Sequence, residues 1–201
     1  MRLSIDIEAD DDVTPWLASI ARDIQGGKNV NGVNGFIARN VGKSVREYLV
    51  REAPKRHKTA DRLGGKRTGH LERGAEDVQA RPDESGIIVN LPIPGIRRAF
   101  EDVTLLPIRS QFLTLPATGE AYGRRARSFS DLRFVPFKRG AVPALVRKVD
   151  GKMEVLFWLK RSVFQRQDRT LLPSDEALLQ AAEEGAEEYL DFKQNERRPT
   201  T

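Results

Sequence analysis

Cysteine is absent from the 201 residues of this chain, which excludes disulfides, thiol catalysis and thiolate zinc sites. The absence fits a reducing compartment such as the cytoplasm. Histidine is nearly absent too, with His57 and His70 the only two. A metal or acid–base role for them would need Asp61 or Glu72 to converge on them. The plainer reading is two exposed side chains in a basic segment. Long hydrophobic runs are also missing. No apolar stretch approaches the length that spans a bilayer, so no membrane partner is expected. Residues Met1–Asp12 are acidic and lack an apolar centre, so no signal peptide is expected.

Hydrophobic residues make up 39% and charged residues 31% of the chain, a globular but polar composition. The length suits one domain with a real core. The reading is a single α+β domain over residues 1–192, with a mobile basic loop at 54–70 and a disordered tail at 193–201. Net charge is only +5, yet the charge is segregated. A basic stretch punctuated by Gly and Pro runs from Arg97 to Arg169. Asp175, Glu176, Glu183, Glu184, Glu187, Glu188 and Asp191 crowd the last segment, with no Lys or Arg until Lys193. Opposite blocks on one small protein point to docking against nucleic acid or against further copies.

Leu3, Ile5 and Ile7 alternate with polar residues and predict a short strand. Thr14-Pro15 opens a helix through Trp16, Leu17, Ile20 and Ile24, which Gly26-Gly27 stops. Ile37, Val41, Val45 and Leu49 predict a longer helix from about Asn34 to Ala53, and Pro54 marks its exit. Between Lys55 and Gly69 the periodicity fails, giving an exposed basic loop around Gly64-Gly65. Leu71, Ala75 and Val78 suit a short helix or the start of a strand. Ile87 to Leu91 reads as a strand after the Asp83–Gly86 turn, ended by Pro92 and Pro94.

The second half reads as β-rich. Strands are expected at Phe112–Leu115 and Leu132–Phe137. The clearest hairpin joins Ala144–Val149 to Met153–Phe164 through Asp150-Gly151, because both turn residues tolerate positive φ. Val155, Phe157 and Leu159 share one face of the returning strand, and Leu156 and Trp158 the other. That pattern predicts burial on both faces. Ser174 caps a final helix with an apolar stripe at Leu178, Ala182, Gly185 or Ala186, and Tyr189.

Catalytic patterns fail on inspection. Gly42-Lys43-Ser44 resembles the end of a phosphate-binding loop, but that pattern needs glycine where Ile37 stands. Gly65-Lys66 fails at Ala60 and Arg67. Asp150, Glu154 and Lys160 could serve a metal nuclease, although Asp150 is better explained by the turn. No catalytic residue, cofactor or metal is expected. The expected contacts to subunits or DNA are Lys55, Arg56, Lys58, Arg62, Lys66 and Arg67 in the basic loop, with Arg124, Arg125 and Arg127 after Tyr122-Gly123. A docking helix is expected to present Glu183, Glu184, Glu187 and Glu188 to such arginines on a neighbouring copy, a head-to-tail contact of the kind that closes rings.

At Thr68-Gly69-His70-Leu71-Glu72-Arg73 the chain resembles the neck and tail-completion proteins of tailed bacteriophages, a virion-morphogenesis family. There a long amphipathic helix is followed by a variable basic loop and a Thr-Gly-x-Leu motif leading into the sheet. Further likeness comes from Tyr122-Gly123-Arg124-Arg125, the hairpin, Val163-Phe164-Gln165-Arg166-Gln167-Asp168, and Leu171-Leu172-Pro173 before the terminal helix. The resemblance covers Asn34 to Leu190, with Pro92–Pro136 longer than the usual family core. It implies a non-enzymatic virion protein, made in the host cytoplasm, acting as a ring subunit in head–tail connection or tail completion. Other neck or tail proteins would be its partners, and DNA in the ring lumen could touch its basic side chains. The alternative is a sequence-independent nucleic-acid-binding protein.

Overall fold

The structure is a computed structural model that describes residues 13–25, 27–56, 58–84, 86–136 and 142–197. The strand expected at Leu3–Ile7 lies outside them, as do His57, Phe137 and residues 198–201. The fold is α+β, with N-terminal helices, antiparallel sheets and a C-terminal helix. The chain falls into two compact units that interleave in sequence. The first holds the residues through Ser44, Val78–Asn90 and the chain from Asp175; the second holds Val45–Asp77 and Leu91–Ser174.

The first unit contains α1 (Val13–Gln25), the first part of α2 (Val33–Arg51), the hairpin strands β1 (Gln79–Asp83) and β2 (Gly86–Asn90), and α6 (Asp175–Arg197). Its core gathers Phe36, Ala38, Val41, Ala181 and Tyr189. The rings of Phe36 and Tyr189 meet edge to face at 5.6 Å, and Phe192 lies 5.5 Å from Phe36. The Tyr189 hydroxyl donates to Asp23 at 2.6 Å, and Lys193 pairs with the same carboxylate at 3.4 Å. Those contacts explain why the expected disordered tail begins too early. Lys193 is held by Asp23 and Glu196, and the helix continues to Arg197. Gly185 lets α6 approach α2 closely: a Cβ there would stand 2.7 Å from the Ile37 Cα and 2.9 Å from the Phe36 carbonyl oxygen.

The second unit contains the rest of α2, then α3 (Ala53–Arg56), α4 (Thr59–Leu63) and α5 (His70–Glu76). The segment expected as a basic loop therefore carries two short helices. Pro54 does not stop the chain from turning again, because in the first turn of a new helix its missing N–H is no loss. Ala53, Pro54 and Ala60 are buried, giving this charged segment an apolar underside. Gly64 closes α4 in the left-handed conformation, φ 67°.

Beyond α5 lie β3 (Val103–Leu105), β4 (Leu113–Pro116), β5 (Arg133–Val135), β6 (Ala144–Val149), β7 (Lys152–Lys160) and β8 (Val163–Gln165). The main sheet has the order β4-β7-β6-β5, and β3 pairs with β8 separately. All pairs are antiparallel. The β6–β7 turn is as expected: Asp150 and Gly151 have φ of 48° and 80°.

The expected double burial of β7 is corrected by a register shift. Leu145 pairs with Phe157, but Val146 pairs with Val155, so Leu156 is the extra residue of a bulge. Its carbonyl accepts instead from the Ala117 amide at 2.8 Å. Leu156, Phe157 and Leu159 are buried, while Trp158 is 39% exposed. The bulge resets the alternation: the strand has one buried face after it, and Trp158 is on the other. Ala121, Leu156 and Phe157 centre a core against which Ala126, Phe129, Leu132 and Leu145 pack.

Two stability outcomes follow from this packing. Leu156→Ala should cost about 2–5 kcal/mol, and Trp158→Ala distinctly less; equal losses in denaturant melts would contradict the bulge assignment. Ala would improve helix propensity at 185 by about 1 kcal/mol, but overpacking against backbone costs about 1–3 kcal/mol. Gly185→Ala should therefore lower the unfolding midpoint, and a raised midpoint would show that α2 and α6 can separate there without loss.

Candidate functional site

The basic residues singled out by sequence divide into those already engaged and those left available. Lys55 pairs with Glu52 at 2.6 Å, and Arg67 with Asp61 at 2.8 Å. Arg124 stacks over Phe129 at 4.2 Å and faces Glu120 at 3.8 Å. Lys66, Arg125 and Arg127 are exposed. Arg56, Lys58 and Arg62 come together around one cavity of about 420 Å³, lined also by Thr59, Arg98 and Asp168. All six belong to the second unit. None of Arg56, Lys58 and Arg62 forms an ion pair with a carboxylate among the described residues.

Arg98 and Asp168 form the rigid wall of this cavity. The Arg98 guanidinium donates to Asp168 Oδ2 at 2.5 Å. The other oxygen, Oδ1, accepts from the Thr170 hydroxyl at 2.6 Å and the Thr170 amide at 3.2 Å. The main chain closes the same contact, with the Asp168 amide donating to the Arg98 carbonyl at 2.8 Å. The Thr170 hydroxyl and the Arg98 charge hold the Asp168 carboxyl below its ordinary 3.8, against the opposing effect of burial. Sequence reading missed Arg98 and Asp168 because nothing in their spacing shows that residues so far apart meet.

Of the alternative nuclease carboxylates, Glu154 is engaged by an arginine and Asp150 sits in a turn. Asp150 forms the hairpin turn. Glu154 accepts from Arg147, whose guanidinium also forks onto Glu120 at 2.5 and 2.9 Å. That pairing raises the Arg147 pKa and lowers that of Glu120.

Two other surfaces stand out. On α6, Glu183, Glu184, Glu187 and Glu188 are all exposed. Glu188 accepts from Asn40 at 2.7 Å and Glu184 from Gln180 at 3.1 Å, so the face is partly tied down within its own unit. Around the β3–β8 pair, Phe100, Leu105, Leu106, Ile108 and Phe164 are exposed, Ile108 at 95%. The Thr-Gly-x-Leu element has a local explanation: Gly69 takes φ 62° before α5, and Leu71 is buried. It leads into that helix before the chain reaches β1.

No protein-family model, curated protein or solved structure matches this chain. Among the described residues, no helix is long and apolar enough to cross a membrane.

The depressed Asp168 pKa fixes the sign of one pH effect. A carboxylate stabilised by folding contributes fully above its unfolded value, and the contribution is lost as pH falls through the folded one. Asp168→Asn should lower Tm at neutral pH and flatten its decline between about pH 5 and pH 2. Parallel melting profiles for the two proteins would exclude a contribution from this carboxylate.

Proposed function

We propose that this protein is a non-enzymatic virion subunit of a tailed phage or prophage, acting in head–tail connection or tail completion as part of a ring. The exposed apolar side chains in and beside β3 and β8 carry this reading. Large apolar side chains left in water mark protein–protein contact, and Leu106 and Ile108, in the segment that follows β3, are 64% and 95% exposed. The occupant we assign is a second copy of the chain. The exposed glutamates of α6 and the cations at Arg56, Lys58 and Arg62 supply opposite charges for steering such copies together. The resemblance at Thr68–Arg73 supports the phage setting. The same three cations favour the second reading, a sequence-independent nucleic-acid binder.

The deciding measurement is the mass of the purified protein in solution against concentration. The native chain should assemble into closed oligomers. Leu106→Asp with Ile108→Asp should reduce them to folded monomers, because both side chains are already exposed and the fold of one chain does not use them. Charge reversal at Glu183, Glu184 and Glu187 should weaken assembly to a lesser degree; Glu188 is left in place for its bond to Asn40. A native protein that stays monomeric and binds duplex DNA with steep salt dependence would replace this reading with the nucleic-acid one.

A further inference from the structure

We propose that the cavity bounded by Arg56, Lys58, Thr59, Arg62, Arg98 and Asp168 binds a small anion carrying two or three linked phosphoryl groups. The charge balance points there first. Four cations and one carboxylate line the space, which leaves Arg56, Lys58 and Arg62 in surplus once Arg98 is paired with Asp168. Asp168 cannot serve the other three cations, because its oxygens are taken by Arg98 and Thr170. Asp61, whose charge Lys58 feels, is itself held by Arg67. Among the described residues, the surplus thus persists without an acceptor.

Chemistry and size narrow the ligand. Guanidinium forks match phosphoryl oxygens two at a time, and Arg56 and Arg62 supply two such forks, while Arg98 is engaged by Asp168. The Arg98 Nε–H is buried and finds no acceptor, a donor left unsatisfied at a cost that an oxyanion or a water can relieve. Thr59 adds a hydroxyl donor to the lining. A water's share of liquid volume is about 30 Å³, and a single orthophosphate fills only a few such shares. The 420 Å³ here leaves room for a short phosphoryl chain, and the three surplus cations match its several charges better than the charge of one phosphate. A carboxylate side chain from a neighbouring subunit would bring one charge against three. The Arg98–Asp168–Thr170 contacts hold the cavity wall before any ligand arrives, so little ordering is left for binding.

The test is calorimetric titration of the full chain with inorganic tripolyphosphate, orthophosphate and a short duplex DNA. Tripolyphosphate should bind one per chain, more tightly than orthophosphate. Arg56→Gln and Arg62→Gln should each weaken it about tenfold or more. Arg81→Gln, at an exposed arginine of β1 outside the cavity, should leave it unchanged. Melting curves confirm that each variant is folded. Equal tripolyphosphate affinity in Arg62→Gln and the native chain would overturn the proposal. So would binding of the duplex alone, which would make these cations part of an extended nucleic-acid surface. A smaller oligomer in Arg62→Gln, with no tripolyphosphate binding by the native chain, would overturn it in favour of a subunit contact. Tripolyphosphate binding by a chain that never assembles would sustain it while removing the ring reading, so the two proposals fail separately.

Discussion

Asp168 is the junction on which the second unit's basic cavity depends. Its carboxylate takes Arg98 on one oxygen and Thr170 on the other, and its amide donates back to the Arg98 carbonyl. Tyr48 on α2 adds a bond from its hydroxyl to the Thr170 carbonyl at 2.9 Å. Three separated stretches of chain are thereby fixed beside α3 and α4. Without this junction the Arg98 guanidinium would lose its orientation, and the surplus positive charge would lie on side chains with no shared geometry. A partly shielded pair of this kind contributes more through placement than through net stability.

Charge is distributed by a simple rule. Cations close to a carboxylate in sequence or across a strand are neutralised locally, as Lys55, Arg67 and Arg147 are. Arg56, Lys58 and Arg62, on and between the short helices α3 and α4, form no ion pair among the described residues and are left over, since Asp61 is held by Arg67 and Asp168 by Arg98. On α6 the reverse holds, and exposed glutamates outnumber the cations near them. Most of the leftover charges of each sign are exposed and unpaired by opposite charge, which is the property expected of groups kept for a ligand or a partner.

Much of the architecture was legible where a strong local signal existed. The stripe on α2, the Asp-Gly turn and the α6 stripe each come from a few residues with one favoured conformation. The reading failed where structure depends on distant chain. Alternation along β7 could not reveal the bulge at Leu156, since that depends on register with β6 and on the Ala117 amide. The helices α3 and α4 were hidden because a run of Lys and Arg masks Ala53, Pro54 and Ala60, whose burial organises them. The candidate site was half legible. Arg56, Lys58 and Arg62 were marked by charge alone, whereas Arg98 and Asp168 were not, because pairing across so long a separation leaves no trace in spacing.

The interleaving of the two units has a consequence for how the protein is made. Phe36 emerges early from the ribosome, but Tyr189 and Phe192, which cover it, come from the last helix. The second unit's residues from Val45 to Ser174 are all synthesised in between. Its sheet can close while α2 still waits with an uncovered apolar stripe. Nascent chains stalled before α6 should therefore be the ones that chaperones hold, and expression of a fragment ending near Pro173 would leave that stripe permanently exposed.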